Sequence, residues 1–344
     1  MKKILLAMIV AISGCQADNI THNTYVVLPE TSKTVGFVEI FDDQALQYIN
    51  KDTRISIRGE GFTWIEGPTW IEDGQYLIFS DIPNNKILKY DPKAGTSLYM
   101  ANPGYNTAES GTGGGSNGLL INNQKQLVLM QQGARQISIM DAPTSAPKHK
   151  FTKLVSHYGD KRLNSPNDLV QHSNGDIYFT DPTYGLNKTD PDRMQQLPFS
   201  GIYRLTEAGE LTLLDDQLTF PNGIGLSPDE KTLYVAVSDA KDQHWVAYDV
   251  NTHGNVENKR RFYDANHLAG TAGHKGGADG LAVHSSGVIF ATGPGGVWLL
   301  TPEAKLLAII RTGENTSNCA LTTNEDYLFI SADDYLMSVP LKTR

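Results

Sequence analysis

Apolar residues in this chain come in short runs separated by tight-turn residues, and one arrangement returns six times. A polar residue is followed by a small one and an apolar pair. Then come a turn, an apolar run, a second small turn and a further apolar run. The unit appears as Glu66-Gly67-Pro68-Thr69-Trp70 followed by the run from Tyr76 to Ser80. It returns as Asn117-Gly118-Leu119-Leu120 with Gln126 to Met130, and as Asn167-Asp168-Leu169-Val170 with Asp176 to Thr180. Asn222-Gly223-Ile224-Gly225 precedes Thr232 to Val237, and Asp279-Gly280-Leu281-Ala282 precedes Val288 to Ala291. The sixth copy is Asn318-Cys319-Ala320-Leu321 with Tyr327 to Ser331. Runs this short, joined by Glu72-Asp73-Gly74, Ser173-Asn174-Gly175 and Ser227-Pro228-Asp229, predict antiparallel hairpins.

Successive copies begin 51, 50, 55, 57 and 39 residues apart, and each interval suits one four-stranded sheet. A fixed period of this size with several strands per repeat predicts an all-β, six-bladed β-propeller. From Asn318 onward only 27 residues remain, too few for a complete sheet. Residues 35–58 contain two unassigned extended stretches, Val35 to Phe41 and Arg54 to Ile57. The expectation is that they complete the last blade, which an N-terminal strand thereby closes, and that 35–344 form a single propeller domain.

Composition agrees with a turn-rich β chain, with 32 Gly and 15 Tyr. The net charge of −9 comes with scattered Lys and Arg, which excludes the basic footprint of a nucleic-acid binder. The N-terminus carries a signal of its own. Lys2 and Lys3 precede an apolar run from Ile4 to Ile12 and then Ser13-Gly14-Cys15, a run too short to span a bilayer. This ending resembles a bacterial lipoprotein signal. Residues 1–15 are therefore expected to be a signal peptide ending at a lipidated Cys15, and 16–34 a polar tether. Export follows, with a lipid anchor in the membrane. Gln16 after the cysteine is similar to lipoproteins of the outer membrane facing the periplasm. The remaining cysteine, Cys319, sits in an apolar stretch and reads as a packing residue.

In a propeller the first strand of every blade lines the central channel. Glu66, Asn117, Asn167, Asn222, Asp279 and Asn318 then face one another, all six bearing side-chain oxygen. Facing carboxylates repel, and a buried polar ring is costly unless something satisfies it. A hard divalent cation does so. All-oxygen donors with two formal charges suit Ca2+ over Zn2+, with Mg2+ and Mn2+ left open by ligand type. Asparagines at turn starts also bond backbone, so the pattern has a purely structural reading as well.

Glu66-Gly67-Pro68, Asn164-Ser165-Pro166-Asn167-Asp168, Phe220-Pro221-Asn222-Gly223 and Ala278-Asp279-Gly280 resemble the motifs of the SMP-30/gluconolactonase/LRE-like family. The similarity extends over roughly residues 40–344. It implies a six-bladed propeller with one catalytic divalent ion, usually Ca2+, that hydrolyses sugar lactones and some other esters. By that resemblance Glu66, Asn167, Asn222 and Asp279 are the metal ligands, Asn167 acting directly or through a water.

A cation of this kind polarises a lactone carbonyl and holds a water beside it. Asp279 is the candidate proton acceptor, with Asp181 a second candidate that could instead orient a ligand. Asn117, Arg162, Tyr184 and His274 are candidate substrate contacts, and rim loops 101–116, 183–199 and 241–246 the expected seat of specificity. The substrate expected is a small lactone such as gluconolactone. Two alternatives stand beside it: a Ca2+-dependent esterase or phosphotriesterase, and a non-catalytic ligand-binding propeller whose ion is structural. Gly114-Gly115-Ser116-Asn117-Gly118 matches a nucleophile elbow in letters only, since the residues after it read as strand, turn, strand rather than helix.

Overall fold

The computed structural model describes residues 26–31, 33–104, 114–187 and 194–342. Six antiparallel sheets carry the six repeats. Blade one runs Ile65–Ile71, Tyr76–Asp81, Lys86–Asp91, Gly95–Ala101, in that spatial order from the centre outward. Blade two is Leu119–Ile121, Leu127–Gln131, Gln136–Met140, Phe151–Val155. Blade three is Leu169–Gln171, Ile177–Asp181, Gly201–Leu205, Leu211–Asp215. Blade four has the longest strands, Pro221–Leu226, Thr232–Asp239, Asp242–Val250 and Val256–Asp264. Blade five is Leu281–Val283, Ile289–Gly293, Gly296–Leu300, Leu306–Arg311, and blade six is Thr316–Leu321, Tyr327–Ala332, Tyr335–Pro340, Ile55–Glu60.

The second strands explain why the sequence shows continuous apolar runs rather than alternation. Leu127–Gln131 and Ile177–Asp181 are buried at every position, because each sheet is covered on both faces by its neighbours. The core divides accordingly into six apolar clusters, one at each blade interface. The cluster between blades six and one contains Phe329 and Leu336 from one side and Ile65, Leu77 and Phe79 from the other. Ser317 Oγ also donates to the Ile65 carbonyl across this junction, at 2.6 Å. With each fully buried Leu, Ile or Phe contributing about 1.5–3 kcal/mol, these interfaces supply most of the fold's stability. Cys319 belongs to the interface of blades five and six, where its thiol donates to the Phe290 carbonyl.

The N-terminal segment is split between two sheets. Ile55–Glu60 pairs antiparallel with Tyr335–Pro340 of blade six, and Thr34–Val35 pairs with Ile55–Glu60 in turn. Phe37–Ile40 instead pairs with Leu306–Arg311 and becomes the outer strand of blade five. The run from Val35 to Phe41 therefore does not lie wholly in the last sheet, as its sequence suggested. Gly36 makes the change of sheet possible. It sits at φ +63°, and a Cβ there would lie 1.8 Å from the Arg311 carbonyl oxygen.

Inner strands begin on one face of the ring and end on the other. Val26 lies at the far end, where its N–H donates to Asp326 in the turn after the inner strand of blade six. The lipidation position Cys15, the signal peptide and most of the expected tether are outside the described residues, as are 105–113 and 188–193 of the expected rim loops.

Candidate functional site

Each inner strand is preceded or opened by its polar residue, so the six come to the axis together. The glycine that follows most of them has a steric reason. A Cβ on Gly223 would meet the Asp279 carbonyl oxygen at 2.2 Å, so each inner strand approaches the next only because that position is bare. Around the axis lies a cavity of about 390 Å3, and Glu66, Asn117, Asn167, Asn222 and Asp279 all line it. Trp64, Ile82 and Pro83 add an apolar wall. Tyr184, stacked on Phe220, and Gln132, Ser238 and Gln243 add polar groups. No Lys, Arg or His lines the cavity among the described residues.

The hydrogen bonds sort the six polar residues into different jobs. Asn318 is satisfied within the protein: its Nδ2 donates to Glu66 Oε2 at 3.1 Å, and its Oδ1 accepts the Cys319 N–H at 2.8 Å. It supports Glu66 rather than presenting a free donor atom. Asn117 donates through Nδ2 to Gln132 Oε1 at 3.1 Å, and its buried Oδ1 has no hydrogen-bond partner. Asn222 donates through Nδ2 to Ser238 Oγ at 3.0 Å, and Ser238 Oγ donates to the Ala278 carbonyl. The amide nitrogens of Asn117 and Asn222 are thus held by the wall.

Two carboxylates, Glu66 and Asp279, line the cavity, and a third, Asp168, is buried near them. Burial pushes Glu66 up to about 8, with repulsion from Asp168 adding to it. Burial raises Asp168 to about 6. Asp279 is raised well above the usual carboxylate range by burial first, then by the charges of Glu66 and Asp168, while hydrogen bonding to Asn222 opposes the shift. Asp168 is the site residue that sequence reasoning missed. It stands in the Asn164–Asp168 motif, where the sequence assigns a role to Asn167 alone.

This donor set fits a hard cation. Acidic side chains are held together against their own repulsion, with an orphaned amide oxygen beside them. Among the described residues no three His, Cys, Asp or Glu side chains form a metal-holding group by themselves, so any ion held here would also need amide oxygens.

Of the other residues the sequence nominated, beyond the four candidate ligands, Asn117 and Tyr184 line the cavity and Asp181, Arg162 and His274 do not. Asp181 is fully buried away from it, accepting the Asn164 N–H through Oδ2 at 2.7 Å, with burial pushing its carboxyl up to about 7. It braces the loop before Asn167, and its backbone carbonyl also accepts from Asn164 Nδ2 at 3.0 Å. Arg162 lies in a short ribbon with His157–Tyr158 and turns its guanidinium to the Ala134 carbonyl at 2.8 Å. His274 bonds Thr271 Oγ1 at 2.9 Å in an exposed loop. The stretch 241–246, read as a rim loop, is a hairpin tip running into the strand Asp242–Val250, and Gln243 at that tip lines the cavity.

A six-bladed propeller with a carboxylate- and amide-lined axial cavity is the class that fold and site define. The chain belongs to the SMP-30/gluconolactonase/LRE-like family, whose model matches residues 64–333. It is 33% identical over 323 residues to a gluconolactonase of Zymomonas mobilis, covering 90% of this chain and 87% of that protein. A solved gluconolactonase structure from Xanthomonas campestris superposes with a TM-score of 0.77 at 27% identity, covering 91% of this chain and 99% of the other. Diisopropyl-fluorophosphatase of Loligo vulgaris is 25% identical over 224 residues, covering 63% of this chain and 67% of that protein.

Proposed function

We propose that this protein is a lactonase that opens a small, uncharged sugar lactone such as gluconolactone with a divalent cation, Ca2+ by the chemistry of the donors. The observation that carries the reading is the meeting of Glu66, Asn167, Asn222 and Asp279 on one open cavity. Those four residues would hold the ion. When bound, it supplies a Lewis acid for the lactone carbonyl oxygen. The balance is simple: water adds to the carbonyl carbon, the ring C–O bond breaks, and the ring oxygen leaves with a proton as a hydroxyl.

Asp279, on the cavity wall, is the candidate to take the proton from the attacking water. Tyr184 faces Asp279, Ser238 and Asn222. Burial and the Asp279 charge hold its phenol protonated, so it presents a hydrogen-bond donor to substrate oxygen. Trp64, Ile82 and Pro83 exclude water from one side of the ring, and the absence of cationic side chains among the described lining residues favours a neutral substrate.

The test is a metal-free preparation resupplied with Ca2+, Mg2+, Mn2+ or Zn2+. It is assayed on sugar lactones beside aryl esters and a phosphotriester, the last because of the relative that is a fluorophosphatase. Ion-dependent turnover greatest on sugar lactones supports the proposal. Preference for the esters or phosphotriester moves the protein to that class, and ion binding without turnover of any of them makes it a binding module.

We also infer that the protein is exported and lipid-anchored at Cys15. What supports this, besides the leader, is that Val26 lies at the end of the ring opposite the cavity mouth. The chain from Cys15 to Val26 reaches at most about 40 Å. An anchor there would attach on the side of the ring away from the cavity. Wild-type protein should fractionate with membranes and a Cys15→Ser variant should be soluble; equal partition of the two would remove the anchor.

A further inference from the structure

The hairpin tip of blade four sends one side chain across to blade five. Gln243 is 7% exposed, and its backbone is tied at both ends: its N–H donates to Asn266 Oδ1 at 2.8 Å, and its carbonyl accepts the Ala265 N–H at 2.9 Å. Its side-chain Oε1 accepts the Ala278 N–H at 2.6 Å. The amide lies flat against Gly277, where a Cβ would come within 2.6 Å of Oε1 and 2.9 Å of Nε2. With Ser238 Oγ bonded to the Ala278 carbonyl, both backbone groups of the residue before Asp279 are gripped by blade four.

This grip also fixes which way the amide faces. A backbone N–H can only donate, so the atom it meets is the oxygen, and the NH2 end is left over. Nε2 has no hydrogen-bond partner among the described residues, yet Gln243 lines the cavity. Nε2 is not among the fully buried side-chain atoms that lack a partner, so it is open to the cavity, where a ligand oxygen can accept from it.

We propose that Gln243 is a specificity-determining residue for the lactonase reading above: its carbonyl positions Asp279 through Ala278, and its NH2 donates to a hydroxyl oxygen of the bound substrate. It selects hydroxylated over unsubstituted lactones. The inference rests on lactone hydrolysis being the reaction.

The test compares kcat and KM for δ-gluconolactone and δ-valerolactone, which share the ester but not the hydroxyls. It uses the wild type, Gln243→Glu and Gln243→Met. Glu keeps the oxygen that holds Ala278 and, ionised, removes the donor; Met removes both. One neutral hydrogen bond is worth about 0.5–1.5 kcal/mol, so the gluconolactone-to-valerolactone ratio of kcat/KM should fall about 3–10-fold in both variants, chiefly through KM for gluconolactone. Met should in addition lower kcat on both lactones, a loss that Glu restores on valerolactone. An unaltered ratio in both variants overturns the proposal and leaves the lactonase reading standing. A wild type that opens neither lactone refutes the lactonase reading itself, and this inference with it.

Discussion

Replacing Asp181 by Asn should stabilise the protein above neutral pH and leave catalysis largely intact. The side chain is fully buried, Oδ2 accepts the Asn164 N–H, and Oδ1 has no hydrogen-bond partner. Burial lifts the carboxyl to about 7. An aspartate in the unfolded chain titrates near 3.9, so between these values the unfolded chain ionises while the folded one keeps its proton. Stability is therefore fully present below about pH 4, falls as pH rises toward 7, and levels off beyond it. At about 1.4 kcal/mol per pH unit the full loss is about 4 kcal/mol. Asn keeps an oxygen for Asn164 and has no charge to desolvate. The variant's stability relative to wild type should thus grow by about 4 kcal/mol from pH 4 to pH 8. Urea denaturation at pH 4.5, 6 and 8 measures the difference. A pH-independent difference would show that Asp181 is not held protonated by burial. A loss of kcat greater than about 100-fold in a stably folded variant would return Asp181 to the chemistry.

Glu66→Gln and Asp279→Asn should each lower kcat/KM for a sugar lactone by more than about 100-fold while the fold persists, because each removes an ionised oxygen from the proposed ion site. Calcium at 100 times its Kd should stabilise wild type by about 2.7 kcal/mol, and a calorimetric scan should find most of that gone in either variant. A fully active Glu66→Gln enzyme would take Glu66 out of the mechanism. Gly36→Ala should cost about 2–4 kcal/mol of stability, since the residue sits at φ +63° with a carbonyl oxygen 1.8 Å from the new Cβ. Its specific activity per folded molecule should match wild type, and an unchanged denaturation midpoint would refute the steric account.

The repeat, the number of blades and the positions that meet at the axis were legible in the amino-acid order alone. They follow from local spacing: a polar residue opening an apolar inner strand repeats about every fifty residues, and a ring brings equivalent positions together whatever the loops do. The family motifs lie at those same positions, so Glu66, Asn167, Asn222 and Asp279 could be named before any coordinate. What each group does there was decided only by neighbours distant in sequence. Asn318 looks like its five counterparts, yet Glu66 and the Cys319 N–H engage both its ends. Asp168 bears on the cluster because its charge repels Glu66 in the buried interior, which no linear spacing reveals. Asp181, Arg162 and His274 have the right chemistry, but their side chains turn to Asn164, Ala134 and Thr271 instead of the cavity. Gln243 reaches Ala278 from another blade, and Phe37–Ile40 leaves the sixth sheet for the fifth at a single glycine. Chain order governs periodicity because it acts over a few residues. The direction of a side chain, and whether its hydrogen bonds are already taken, depends on groups that only the closed ring brings within 3 Å.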